Sequence, residues 1–276
     1  MPTEPTAAAD VSMHPEFSKP VLGICWDSAH VGGDFLRIDQ SIQCVAHFRP
    51  FPLPGGDVAS HEPRRCALDA MHAITGDLLF NDANEITLAP FTTEEIAELR
   101  LVLVDHNGTP STSSAARLFD AVASITGLRH CAGFDGQAER DLEHAIDPNE
   151  GSDYPFFLHG AENIVVDWQP MLEAIHRDVV KQVPIGRIAA RFHHTLVDVI
   201  AEVARHFGID DVVLIGSCFQ NNWLTTHAVA RLQAEGFRPH CPRWVPSPDG
   251  SLALDQIVAQ ARLDVAPAPA HWENVA

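Results

Sequence analysis

The first sustained apolar run is Val21-Leu22-Gly23-Ile24-Cys25-Trp26, short and continuous, the pattern of a buried strand. Phe35–Asp39 and Cys44–Phe48 alternate loosely, so the three segments predict a small meander around Gly32-Gly33. Pro50, Pro52, Pro54, Gly55 and Gly56 then rule out a helix or a central strand over Pro50–Asp57. Helical spacing takes over beyond that point. Pro63 opens a helix to about Thr75, because proline's missing N–H has no partner in a first turn anyway. Thr92-Thr93-Glu94-Glu95 reads as an N-cap with acids at the positive end of the helix dipole, leading to about Asp105. Ser111-Thr112-Ser113-Ser114 precede a third helix through Leu118, Ala121, Val122 and Ile125, closed by Gly127, and a fourth covers Gln137–Ala145.

The last third changes character. Pro170–Val180 is predicted helical, and Ile185–Phe207 is a long amphipathic helix stopped by Gly208. Val212–Ile215 is a strand running into Gly216-Ser217-Cys218; a helix follows from Asn222 to about Glu235, ended by Gly236. A weaker strand, Phe237–His240, and a helix over Leu252–Ala261 complete the pattern. Helix, strand, turn, helix and strand in succession are an α/β signature. The Pro-, Ala- and Thr-rich residues 1–18 read as a loose arm, 19–265 as the folded domain and 266–276 as a tail.

Charge narrows the partners. Eighteen Lys and Arg against 37 Asp and Glu leave a net charge of −19. Nucleic-acid binding and polybasic membrane anchoring both need the opposite sign, so neither is expected. No apolar run approaches the ~18 residues of a membrane span. The N-terminus lacks the basic and apolar regions of a signal peptide, and the six cysteines are scattered without a C-x-x-C, so a cytoplasmic location is expected.

Several segments carry candidate chemistry. At Gly216-Ser217 an apolar strand feeds a small-residue turn before a helix, where backbone N–H groups suit phosphate; equally, the turn needs glycine for geometry alone. Strand ends converge on one crevice in an open α/β sheet, so Asp27 after the first strand and Asp249 in Pro246–Ser251 are candidate metal or hydroxyl ligands. Asp249 is as readily a helix N-cap, and Asp27 a plain turn residue. Asp120, on an apolar helical face, suits ribose hydroxyls, or pairs with Arg117 or water. Phe134-Asp135-Gly136-Gln137 is a tight turn that starts a helix. His193-His194 are poor joint metal ligands, because neighbours on a helix point ~100° apart. Cys66 has no visible activating partner.

These segments resemble the C-terminal carbamoyltransferase domain of HypF-type [NiFe]-hydrogenase maturation proteins. The resemblance runs through Asp34–Arg65 with VAHFRPFPLPGGDVASHEPRR at its end, then PSTSSAARLFDAVASITGL (110–128), FDGQAERDLE (134–143), RFHHTL (191–196), GSCFQNN (216–222) and PSPDGSLAL (246–254). It covers roughly residues 20–262 in the family's order. It implies an α/β, actin-like ATPase or ribonuclease H-like fold of TsaD type, with a helical insertion and an incomplete N-terminal lobe that a second subunit could supply. It further implies transfer of a carbamoyl group from carbamoyl adenylate, made with ATP, to a C-terminal cysteine of a HypE-type partner. Gly216, Ser217 and Asn221 match the family's phosphate-side GGVFQN loop. Asp120 matches the ribose aspartate, with Gly136 and Gln137 near it, and Asp27 and Asp249 match two carboxylates of a divalent metal site for iron or zinc. Two alternatives stay open: a catalytically reduced relative that acts by binding a maturation protein, and a small-molecule O-carbamoyltransferase.

Overall fold

A computed structural model of the chain describes residues 19–27, 32–39, 41–53, 61–81, 85–104 and 110–241. Asp249, the turn residues 54–57, the helix expected over Leu252–Ala261, the arm over 1–18 and the tail over 266–276 lie outside the described residues.

Strands β1 (Val21–Trp26), β2 (Gly33–Ile38) and β3 (Ile42–Phe48) form the expected antiparallel meander. β4 (Phe51–Pro52) and β5 (Ser111–Thr112) make a separate two-stranded ribbon. β6 (Phe157–His159) pairs antiparallel with β7 (Ile164–Asp167), and β7 runs parallel to β3. β8 (Asp211–Ile215) lies parallel beside β1, and β9 (Arg238–His240) parallel beside β8. Among the described residues the large sheet is therefore seven strands in the order β6-β7-β3-β2-β1-β8-β9. β6 and β7 were not legible as strands. They are too short to show alternation, and they pair with each other and with distant β3.

The pleat explains which side of the sheet holds the core. Leu22, Ile24 and Trp26 of β1 point to the same face as Val212 and Leu214 of β8, in the register Leu22↔Val212 and Ile24↔Leu214. Val21, Val213 and Ile215 join Ile38 on the other face in a small second cluster. Full burial of each such side chain is worth ~1.5–3 kcal/mol, so the larger cluster dominates.

Between β3 and β8 the chain inserts its helices: α1 (Pro63–Thr75), α2 (Thr93–Val104), α3 (Ala115–Ile125), α4 (Gln137–Ala145), α5 (Gln169–Val180) and α6 (Ile185–Phe207). α7 (Asn222–Ala234) follows β8. Pro63 sits in the first turn of α1 as expected. Thr92 and Glu95 form a reciprocal capping box on α2: Glu95 N donates to Thr92 Oγ1 and Thr92 N donates to Glu95 Oε2. A 3-10 helix over Gly76–Asn81, absent from the sequence expectation, follows α1. Every residue of α3 is buried, which is why its polar members Arg117, Asp120 and Ser124 cannot be solvated surface groups. α3 packs against α6 through Phe119 and Phe192, whose rings meet edge to face at 4.9 Å.

Candidate functional site

β1 and β8 end side by side. Gly216, directly after β8, has φ +112, and a Cβ there would fall 2.0 Å from the Trp26 carbonyl oxygen. Close approach of the two strand ends thus requires glycine. The next residue then crosses the gap, as Ser217 Oγ donates to Asp27 Oδ1 at 2.8 Å. Asp27 is held from two more directions. Its N–H donates to Gly32 O at 2.8 Å, and Ser114 Oγ, at the start of α3, donates to Asp27 O at 2.6 Å. Gly33 completes the clamp, because a Cβ at that position would meet Ser113 O at 2.0 Å.

Beside this junction lies a buried polar layer. Arg117 Nη1 on α3 is 2.8 Å from Asp120 Oδ2, one turn along the same helix, with both side chains almost fully enclosed. The approach is off the hydrogen-bond axis. Among the described residues Arg117 Nε and Nη1, Asp120 Oδ2 and Glu139 Oε1 all lack a hydrogen-bond partner. Burial raises the Asp120 carboxyl to about 7; Arg117 opposes the rise and Asp135 adds to it. Burial likewise raises Glu139 to about 8, reinforced by Asp120, Glu143 and Asp27 and opposed by Arg117. Asp69 on α1, with neither oxygen partnered among the described residues, is also raised by burial. Buried polar groups are nearly always satisfied, so orphans gathered in one layer make it a candidate place for hydroxyls or other polar ligand atoms. Cys66 and Cys218 are fully buried, and burial first, then neighbouring acids, pushes both thiols up, which disqualifies them as nucleophiles.

Of the residues singled out from the sequence, Asp27, Gly216 and Ser217 come together directly. Asp120 joins them electrically through Glu139, which feels both Asp27 and Asp120. Gly136 takes the left-handed conformation (φ +77) that starts α4. Gln137 turns its side chain back, accepting from Gly133 N at 2.7 Å. Asn221 is buried in structural work: its Oδ1 accepts from Leu224 N to cap α7, and its Nδ2 donates to His193 Nε2 at 2.9 Å. His193 Nδ1–H donates to Ala189 O, and burial lowers this histidine to about 4, so it is a neutral core group. Glu139 was missed. Its signal was its place in α4, next to buried Ala138 and one turn before buried Leu142, with exposed Arg140 beyond.

The family resemblance implies a metal, and the residues described do not fit one. Among them no group of three or more His, Cys, Asp or Glu could hold an ion. Asp27 is engaged with Ser217, and its expected companion Asp249 lies outside the described residues. No helix among the described residues is long and apolar enough to cross a membrane.

An antiparallel meander extended in parallel by β8 and β9, with polar groups gathered where β1 and β8 end, is an α/β fold of the Kae1-like class. A family model described as "Carbamoyltransferase, Kae1-like Domain, second subdomain" matches residues 22–256, and the chain belongs to that family. It is 34% identical over 273 residues to carbamoyltransferase HypF of Synechocystis sp., covering 91% of this chain and 35% of the relative. A carbamoyltransferase HypF homolog of Cupriavidus necator is 30% identical, over 90% of this chain and 66% of its own. Among solved structures, full-length HypF in a phosphate- and nucleotide-bound form superposes with a TM-score of 0.76 at 27% identity, covering 90% of this chain and 34% of that one. The chain thus spans about a third of the length of the Synechocystis relative.

Proposed function

We propose that this domain binds the adenylate of a carbamoyl group and transfers that group to a protein cysteine thiolate in [NiFe]-hydrogenase maturation, with a HypE-type protein as acceptor. In balanced form, the thiolate attacks the carbamoyl carbon, a C–S bond forms, the C–O bond to the phosphate breaks, and AMP leaves with the electron pair. The observation that carries the reading is the joining of Asp27 to Ser217 at the Gly216 turn, beside the Arg117–Asp120–Glu139 layer. The family and the nucleotide-bound neighbour support it.

In this reading the Gly216 turn lies at the phosphate, because the absence of a side chain there lets a ligand approach the backbone. Asp27 fixes the Ser217 hydroxyl, and Ser114 fixes Asp27 in turn. Arg117, Asp120 and Glu139 offer donors and acceptors to the sugar. Divalent iron or zinc would need Asp249 beside Asp27. The adenylate would be made by a full-length HypF-type protein.

The test combines the purified chain with carbamoyl phosphate, ATP, a full-length synthetase partner whose own transfer site is inactivated, and the acceptor. The acceptor is then weighed by mass spectrometry. A carbamoyl mass gain that depends on this chain is expected. No gain, with an active transferase giving one in parallel, overturns the enzymatic reading in favour of the binding-only relative.

A further inference from the structure

Behind the Gly216 turn runs a chain of hydrogen bonds whose directions are fixed at both ends. His193 of α6 and Asn221 are both buried. His193 Nδ1 lies 2.7 Å from Ala189 O, a carbonyl that can only accept, so Nδ1 carries a proton. At the other end Leu224 N, 2.9 Å from Asn221, can only donate, so the amide turns Oδ1 toward it and caps α7. Asn221 Nδ2 is then left facing His193 Nε2 at 2.9 Å, and that nitrogen accepts only without a proton. A single ring state fits all three contacts: neutral, with its proton on Nδ1.

The cap is also where the turn ends. The 3-10 helix Ser217–Gln220 closes through Phe219 N on Gly216 O and Asn221 N on Cys218 O, and Thr225 Oγ1 of α7 donates to Phe219 O at 2.7 Å. The Phe219 ring stacks on Trp26 at the end of β1, with 5.5 Å between centroids. Asn221 thus fixes where the first turn of α7 stands relative to Gly216. Resting on the reading above that sets the phosphate at this turn, we propose that His193 is a positioning residue: as a proton-free acceptor at Nε2 it orients the Asn221 amide, and through the α7 cap it holds the Gly216–Asn221 turn in its binding shape.

A proton on Nε2 would set two donors against each other. The amide would have to rotate, which turns Nδ2 onto Leu224 N and removes the cap. The surroundings keep that proton away. α3 presents the Phe119 ring to His193, α7 the Trp223 ring and α6 the Phe192 ring. The titratable groups that reach it are His194 of its own helix and His227 of α7, and on the α4 side Glu143 accepts from Trp223 N. Burial disfavours the imidazolium, the bond to Ala189 O opposes this, and both neighbouring histidines reinforce it.

The experiment reads the ring tautomer and ligand affinity together, on the full chain. Nitrogen NMR at neutral pH, on protein isotope-labelled at its 16 histidines and with His193 assigned by its loss in His193→Gln, is expected to show a protonated Nδ1 and an Nε2 without a proton. Asn221→Asp keeps the capping oxygen but turns a second carboxylate oxygen to Nε2, so both ring nitrogens are expected to be protonated there. His193→Gln places an amide oxygen where Nε2 stands and is expected to bind ADP within about twofold of wild type. His193→Leu removes the acceptor and is expected to bind ADP about fivefold to tenfold more weakly, the worth of one well-made hydrogen bond. A proton on Nε2 in the wild type, or equal ADP affinity in His193→Leu and His193→Gln, overturns the inference alone. The tautomer is read on the wild type, so that arm decides even where His193→Leu does not fold. Failure of a wild type with the expected tautomer to bind ADP overturns the nucleotide reading and leaves the His193–Asn221 link standing.

Discussion

A methyl group at position 216 would fall 2.0 Å from Trp26 O, a backbone atom of the adjacent strand that has nowhere to go. Gly216→Ala is therefore expected to cost about 3 kcal/mol or more, through overpacking and a strained φ together. Gly208 also has a positive φ (+60), but nothing lies within 4 Å of where a Cβ would project, so Gly208→Ala should cost only ~1–2 kcal/mol. Urea unfolding of both variants checks the contrast; equal losses would show that the strand ends have room to part. His193 carries the clearest pH signature. Its folded value of about 4 lies below the ordinary 6.5, so between those values the unfolded chain binds more protons than the native one. Stability must then fall as pH drops from about 6.5 to about 4 and be insensitive to this group above that range. His193→Gln should flatten that part of the curve, measured as urea midpoint against pH. At this scale the local pattern placed Asp27 at a strand end, Asp120 on an apolar helix and Gly216 in a strand-to-helix turn, where the structure also has them, because strand ends and helix faces can be read from local pattern. It could not show that Asn221 is consumed by a cap and by His193, since the contact joins residues 28 apart. Nor could it decide between pairing and solvation for Asp120, which depends on the complete burial of α3.

Elements hold the site through a few charged ties. Glu150, in the segment between α4 and β6, accepts from Ser152 Oγ and N, from Arg187 Nε at 2.7 Å and from Arg191 Nη2 at 3.0 Å. Ser152 first, then the arginines, hold its carboxyl well below the ordinary range. Arg191 reaches on to Asp178 of α5 at 2.8 Å, so one cluster fastens α5, α6 and the α4–β6 connection. Glu150→Ala leaves two arginines short of their partner and should cost about 2–3 kcal/mol, read from the urea midpoint at neutral pH. A change under ~0.5 kcal/mol would show that water replaces the carboxylate freely. α1 and α2 are tied similarly by Arg64, which bonds Glu62, Glu95 and the Pro90 carbonyl. Most helices were legible because caps and apolar periodicity are local: Pro63, Thr92, Gly127 and Gly208 all sit at or beside helix ends. The strands at the far edge of the sheet were not, because three- and four-residue segments such as Phe157–His159 and Ile164–Asp167 acquire their identity only by pairing.

On the scale of the whole molecule, the fold and its family agree. The sheet brings together residues separated by nearly the full described length, from Asp27 to Ser217, and the helical insertion supplies the buried Arg117, Asp120 and Glu139, of which Glu139 is electrostatically coupled to Asp27. The net charge of −19 is adverse to nucleic acid. The central claim is that three segments distant in sequence form one nucleotide site. Hydrogen–deuterium exchange of the purified chain with and without saturating ADP tests it most directly. Slower exchange is predicted together at the start of α3 (115–120), at the start of α4 (136–142) and across the Gly216 turn (216–221), with the outer strands β6 and β7 unchanged. Protection confined to other segments, with ADP bound, would contradict the account.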